Sequence, residues 1–320
     1  MLVPVLLFIL GLVLLIKGGD WFVDGSTDIA RRFHIPEIIV GATVVSIGTT
    51  LPEVMVSATG ALNGQGAMAY GNAIGSIICN TALIAAITIS VKPGPVDAKS
   101  LKMPVIFFFL SAILYAAVAY TSGDFTRPLG FVLLAIFFIY MYLTIRAGFK
   151  NPNPQEEEEA KEEDPLWKAL VMLIGGAALI AVGAHLLVDN GTLIAQALGV
   201  PESVIALTFV ALGTSLPELV TAITSLIKGH GSLSLGNIIG ANIFNLVLVS
   251  GVSVTLAPFH IPEAAQIMGH NASLVLDIPV MFTVMALMTL PAIFRKKLSR
   301  FQGIALLCIY AAFVVIQFTM

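Results

Sequence analysis

GTTLPE at residues 48–53 and GNAIGSIICN at 71–80 return later in the chain as GTSLPE at 213–218 and GNIIGANIFN at 236–245. From these motifs outward, residues 36–85 align without a gap to 201–250 at a constant offset of 165, with 19 identities in 50. The chain is duplicated. In each copy one of two glutamates, Glu53 or Glu218, lies inside a long run of otherwise uncharged residues.

Composition identifies the solvent around those glutamates. Of 320 residues, 58% are hydrophobic and 11% are charged, whereas an ordinary soluble domain has about 25% charged. So few charges cannot cover a soluble core of this size. A net charge of −3 without a basic stripe excludes a nucleic-acid partner. The chain reads as an all-α polytopic membrane protein embedded in a lipid bilayer. Hydropathy places ten spans near 2–29, 36–62, 67–90, 102–121, 127–147, 166–197, 203–227, 233–256, 273–293 and 300–319. Its first sixteen residues lack a basic start and a small-residue cleavage site, so they read as the first span rather than a secretory signal. Cys79 and Cys308 lie in apolar segments, which predicts neither a disulfide nor a zinc site.

The hydrophilic stretch 148–165, with NPNP and then EEEEAKEED, separates five spans from five. Its composition cannot bury a core and reads as a solvated linker. The organisation is thus 1–147, a first five-helix repeat; 148–165, an acidic linker; and 166–320, a second five-helix repeat. With the N-terminus outside, 14 of the 16 Lys and Arg residues fall on the inner side. The positive-inside rule then predicts a multi-pass plasma-membrane protein with both termini outside and the linker in the cytoplasm. Because five is odd, the second copy enters the membrane in the opposite sense. Inverted repeats of this kind characterise carriers whose site lies at the midplane between the copies.

Glu53 and Glu218 have no Lys or Arg near their depth in spans 2, 3, 7 or 8. An ionised group there costs about 2.5–3.5 kcal/mol on insertion scales, so the pair needs another cation or must be protonated. Pro52 and Pro217 cannot donate to the carbonyls of Gly48 and Gly213, which predicts kinks and freed backbone oxygens. Thr49 and Thr214 each stand one turn before their glutamate, with Thr50 and Ser215 adjacent. Asn72, Ser76 and Asn80 recur along one face of span 3, as do Asn237, Ala241 and Asn245 along span 8. GNAIG and GNIIG are also GxxxG patterns suited to close helix packing. Hard oxygen donors suit Ca²⁺ and Na⁺ rather than soft transition metals. Two carboxylates balance one Ca²⁺ or two Na⁺, so one site can hold either load in turn.

These doubled motifs resemble the paired α-repeats of the cation/Ca²⁺ exchanger superfamily, Na⁺/Ca²⁺ exchanger branch, over nearly the whole chain. The resemblance implies ten helices with an ion cluster lined by spans 2, 3, 7 and 8. By motif position, Glu53 and Glu218 are the shared Ca²⁺ and Na⁺ ligands, helped by Thr49, Thr50, Thr214 and Ser215. Ser46 and Ala211 offer backbone carbonyls to Na⁺, Ser76 a hydroxyl, and Asn80 and Asn245 complete the central ring. Ala241 stands where relatives can carry Ser, and Asn245 where some carry Asp, which leaves the site charge at −2. The expected function is a secondary antiporter that extrudes Ca²⁺ against entering Na⁺, with a Ca²⁺/H⁺ antiporter using the same carboxylates as the alternative. A channel would more naturally build rings from several subunits, and an intramembrane hydrolase would need a nucleophile–base pair that is missing. The protein is therefore no enzyme; it needs no cofactor, its metals are cargo, and a single chain suffices for transport. Elsewhere, helical spacing predicts ion pairs Lys17–Asp20 and His185–Asp189 in the long first and sixth spans.

Overall fold

The computed structural model describes residues 2–150, 165–198, 213–263 and 265–319. Its helices in chain order are α1 (Leu2–Arg32), α2 (Glu37–Leu62), α3 (Gly66–Val91), α4 (Ala98–Thr121), α5 (Arg127–Lys150), α6 (Leu166–Ala197), α7 (Leu216–Ile227), α8 (Gly231–Leu256), α9 (Ser273–Arg295) and α10 (Arg300–Thr319). Among the described residues, nine of these are long and apolar enough to cross a membrane. As described, α7 has 12 residues; the expected start of its span, 203–212, lies outside the described residues, as does most of the acidic linker. Ten helices in two five-helix repeats are the architecture read from the duplicated sequence.

Short antiparallel strand pairs tie the loops together. Strands β1 (Gly94–Pro95) and β6 (Lys297–Leu298) join the α3–α4 and α9–α10 loops, and β2 (Asp124–Phe125) and β3 (Phe259–His260) join the α4–α5 and α8–α9 loops. Strands β4 (Gln266–Ile267) and β5 (His270–Asn271) close a hairpin before α9. With alternating spans, each of the first two pairs links loops that must lie on one side of the membrane, so the pairing agrees with the topology.

Burial separates an inner from an outer layer. In its most apolar stretch α8 is 83% buried, α3 72% and α2 61%, against 22% for both α1 and α6. The inner helices are those with the duplicated motifs. The outer pair is long, at 31 and 32 residues, or about 46–48 Å of helix against a hydrocarbon core of about 30 Å, so both must tilt.

Glycine sets how closely this outer pair packs. A Cβ on Gly11 would stand 2.8 Å from the Gly183 carbonyl oxygen, and one on Gly183 would stand 2.8 Å from that of Gly11. One on Gly176 would reach 2.5 Å from the Phe22 amide nitrogen and 2.8 Å from the Gly18 oxygen. The contacts are backbone against backbone, with nothing flexible to yield, as small-residue packing in lipid requires. Next to it, a Cβ on Gly175 meets only the Trp21 ring at 3.6 Å. Of the predicted ion pairs, His185–Asp189 forms at 3.2 Å. Lys17–Asp20 is replaced: Asp20 and Asp24 both face Lys228 at the end of α7, at 3.5 and 2.7 Å. Local helix spacing could not reveal that long-range partner.

Two outcomes follow. Gly176→Ala should lower the melting temperature of the purified protein by about 5 °C, from an overpacking cost of about 1–3 kcal/mol, while Gly175→Ala leaves it unchanged or slightly higher. Equal effects at the two positions would contradict the backbone contact. In the α8–α9 loop, the His260 Nδ1 lies 2.7 Å from Asp124 Oδ1, and this hydrogen bond holds the His260 pKa above its ordinary 6.5. The folded-state value exceeds the unfolded one, so the contribution of this contact is full below pH 6.5 and is lost as pH rises through the folded value. NMR titration of labelled histidine should find the raised pKa, and Asp124→Asn should return it toward 6.5.

Candidate functional site

The polar centre lies where α2 and α3 of the first repeat meet α7 and α8 of the second. Glu53 and Glu218 are both fully buried, and their carboxyls lie within electrostatic reach of each other. The hydroxyls of Thr49 and Thr50, on α2, lie beside the Glu218 carboxyl, so each repeat contributes to the surroundings of the other's acid. Two Thr–Asn bonds related by the internal symmetry cross the interface. Thr49 Oγ1 donates to Asn237 Oδ1 at 3.2 Å, and Thr214 Oγ1 donates to Asn72 Oδ1 at 3.2 Å. Asn72 Nδ2 then donates to the Glu53 carbonyl at 3.2 Å and to Ser57 Oγ at 2.8 Å. On the other side Ser46 Oγ donates to the Gly41 carbonyl at 2.8 Å and to that of Asn237 at 3.0 Å.

These bonds change the reading of the asparagines. Spacing alone puts Asn72 and Asn237 in one donor series with Asn80 and Asn245. In the fold the first two cross-link the repeats, whereas the side chains of Asn80 and Asn245 have no hydrogen-bond partner. Both unpartnered asparagines open a π-helical turn, Asn80–Ala85 in α3 and Asn245–Val249 in α8. Such turns disturb the i→i+4 ladder and recur at functional sites. Sequence reasoning missed these turns; the only available signal was that both fall at equivalent positions of the duplication. A further one, Gly41–Val45, precedes Ser46 in α2.

The two prolines act differently. Pro52 lies inside α2, at the position where a residue would donate to the Gly48 carbonyl. Pro217 stands in the first turn of α7, where its missing amide has no acceptor to lose. The Leu216 amide donates to the Gly213 oxygen at 3.4 Å. The expected freed carbonyl at Gly213 is therefore corrected to a weak turn bond, and Pro217 stands in the first turn of the helix that follows this turn; residues 199–212, on which the expected kink also depends, lie outside the described residues. Ser76 is buried on α3; Ala211 lies outside the described residues.

Taken together, the carboxylate oxygens of Glu53 and Glu218, the hydroxyls of Thr50 and Ser215, and the amide oxygens of Asn80 and Asn245 are eight buried oxygens without a hydrogen-bond partner. Each such group costs about 1–3 kcal/mol if nothing satisfies it, and more when charged. Eight hard oxygens carrying two negative charges match the 6–8 that Ca²⁺ takes. Among the described residues no cluster of three or more His, Cys, Asp or Glu occurs, so the fit is to a hard cation held mostly by neutral oxygens.

An inverted-repeat helical bundle with an anionic, oxygen-rich centre at its repeat interface defines a membrane cation transporter. The profile of the family described as sodium/calcium exchanger protein matches residues 3–146 and 168–319. The chain belongs to this family, and to its Na⁺/Ca²⁺ exchanger branch. It is 36% identical over 304 residues to an uncharacterized membrane protein of Methanocaldococcus jannaschii, covering 95% of this chain and 94% of that one. Sodium/calcium exchanger MaX1 of Methanosarcina acetivorans is 30% identical over 350 residues, covering 98% of each. Among solved structures, the sodium-calcium exchanger NCX_Mj soaked without Na⁺ and Ca²⁺ superposes with a TM-score of 0.82 at 35% identity, covering 97% of each chain. Its form soaked with Na⁺ and Sr²⁺ gives 0.83 at 34% identity and 98% coverage of each.

The cross-repeat bonds can be tested through stability. A double-mutant cycle of Thr49→Val and Asn237→Ala should show a coupling of about 0.6 kcal/mol, the usual size for a membrane-protein hydrogen bond. Strict additivity in thermal or denaturant unfolding would remove the Thr49–Asn237 bond from the account.

Proposed function

We propose that this exchanger carries Ca²⁺ out of the cell in exchange for entering Na⁺, and that both ions compete for one centre at Glu53 and Glu218. The observation that carries this reading is the pair of buried carboxylates within electrostatic reach of each other, accompanied on the same helices by buried neutral oxygens without hydrogen-bond partners. A charge of −2 is neutralised by one Ca²⁺ or two Na⁺, so loading with one cargo removes the electrostatic reason to hold the other. In the proposed site Thr49, Thr50, Thr214 and Ser215 supply hydroxyls beside the acids. Asn80 and Asn245 supply amide oxygens, Ser76 a hydroxyl, and Ser46 and Ala211 backbone carbonyls for Na⁺. The cations are cargo, and no resident cofactor takes part. The Thr–Asn cross-links hold the hydroxyls of α2 and α7 in register with the opposite repeat.

Further support comes from two relatives, MaX1 and NCX_Mj, both sodium/calcium exchangers. Entry of a third Na⁺ for each Ca²⁺ would move one net charge per cycle and couple transport to membrane potential at about 2.3 kcal/mol per 100 mV. The concentration of Lys and Arg in one set of loops supports an acidic linker in the cytoplasm and both termini outside.

Reconstituted vesicles test the reading directly. Na⁺-loaded vesicles diluted into Na⁺-free buffer should take up Ca²⁺, and Glu53→Gln or Glu218→Gln should reduce the rate at least about 100-fold. Wild-type rates in both variants would remove the proposed centre. Uptake driven by an imposed pH gradient with no Na⁺ gradient would instead assign the coupling to protons.

A further inference from the structure

On α7, Glu218, Thr221 and Ser225 follow the i, i+3, i+7 spacing of one helix face. Thr221 and Ser225 are fully buried, and neither hydroxyl has a hydrogen-bond partner, not even the carbonyl one turn back that buried Ser and Thr in helices commonly use. Ser225 stands about 10 Å along the helix from Glu218, toward Lys228. There the chain turns tightly into α8. The His230 amide donates to the Ser225 carbonyl at 2.7 Å, and the Ser234 amide donates to the His230 carbonyl at 3.2 Å. Ser234 is again buried with an unpartnered hydroxyl. It lines a cavity of about 250 Å³ between the ends of α3 and α7 and the start of α8, together with Thr88, Leu226 and Gly229. Lys92, also at this cavity, is exposed, so water screens its charge.

The duplication supplies a control. At the offset of 165 the counterparts of Thr221, Ser225 and Ser234 are Val56, Gly60 and Ala69. Every hydroxyl of the series is missing from the first repeat, so fold symmetry does not require them. Three unsatisfied buried hydroxyls cost about 1–3 kcal/mol each, and in a membrane bundle such polar groups mark ion paths.

We propose that Thr221, Ser225 and Ser234 form the path by which a partly dehydrated cation passes between the Glu218 centre and the side bearing the basic loops, with the 250 Å³ cavity as its mouth. The proposal rests on the reading of Glu218 as part of the cargo site. It assigns the hydroxyls as transient ligands that replace water along the way. The mirror route toward the opposite side must be built from other groups, because its equivalent positions are apolar.

The test uses single cysteines, Thr221→Cys, Ser225→Cys and Ser234→Cys, in the reconstituted full chain with both native cysteines replaced, Cys79→Ala and Cys308→Ala. A membrane-impermeant quaternary-ammonium methanethiosulfonate is added to one side at a time. Ser225→Cys and Ser234→Cys should be labelled only from the side of the basic loops, read by mass shift, whereas Val56→Cys should not be labelled from that side. A plugging variant, Ser225→Leu, should cut the transport rate at least about tenfold while equilibrium Ca²⁺ binding to the purified protein stays within about twofold. A merely structural serine would move both. Folded protein that transports at the wild-type rate as Ser225→Leu, or cysteines at 225 and 234 that resist labelling from either side, overturns the path. Loss of Na⁺-driven Ca²⁺ uptake in the wild type would overturn the exchange reading instead, and the labelling pattern would be unaffected by it.

Discussion

Two carboxylates lie within electrostatic reach of each other in the buried centre of this bundle, and the spans that carry them have no Lys or Arg at their depth to neutralise them. Everything around Glu53 and Glu218 can be understood from that constraint. Leaving two charges unbalanced in a low-dielectric interior is far more expensive than any single packing contact is favourable. The centre is therefore stable only in company with a cation or with protons, and its occupancy is linked to the ions on either side of the membrane. A soluble protein would use Lys or Arg to remove this dependence. Here Lys228 has its place on the fold, but it pairs with Asp20 and Asp24 at the periphery rather than with the central acids.

The scaffold keeps that centre in place without filling it. The inner helices approach through small residues: a Cβ on Gly240 would stand 2.2 Å from Ser46 Oγ, and one on Gly41 2.4 Å from the Leu233 oxygen. Close backbones allow side chains from opposite repeats to bond directly, as Thr49 does with Asn237. Large apolar side chains occupy both places: Ile77, Ile239 and Phe244 are packed inside the bundle, while Val13, Ile174 and Ile304 are exposed on the outer helices, where lipid accepts them. Polar groups gather at the centre between the close-packed backbones, enclosed by this apolar shell.

Much of this was legible in the chain, and the limits are physical. Duplication, span count and the two glutamates are statements about composition at fixed positions, which a sequence records directly. The roles of Asn72 and Asn237 were not legible, because their partners are 142 and 188 residues away, and side-chain type is the same for a ligand and a cross-link. Asn80 and Asn245 begin π-helical turns, yet α and π turns differ by one residue of hydrogen-bond register and not by composition. The Gly213 carbonyl was misread for a related reason. Whether the residue before a proline's turn leaves an oxygen free depends on where the helix starts, and boundaries are the least certain part of any pattern reading. Lys228 belongs to the same class as the asparagines, a tertiary partner hidden from local spacing.

Symmetry itself poses the last question. Two identical inverted halves would give identical routes to the two sides, with no bias between them. The halves have nevertheless diverged where it affects the ion's surroundings and not where it affects the acids. Pro52 sits inside α2, while Pro217 opens α7. Ser57, which holds Asn72 in the first repeat, is matched by Ala222, so Asn237 Nδ2 lacks the corresponding bond and remains unpartnered. Hydroxyls line α7 beyond Glu218, whereas the matching face of α2 has Val56 and Gly60. Conserving the charges while varying their neutral neighbours keeps the cargo requirement of the centre fixed. The same divergence lets the barriers toward each side differ, which changes how fast ions reach the centre from either side, while the ion gradients alone set the direction of net exchange.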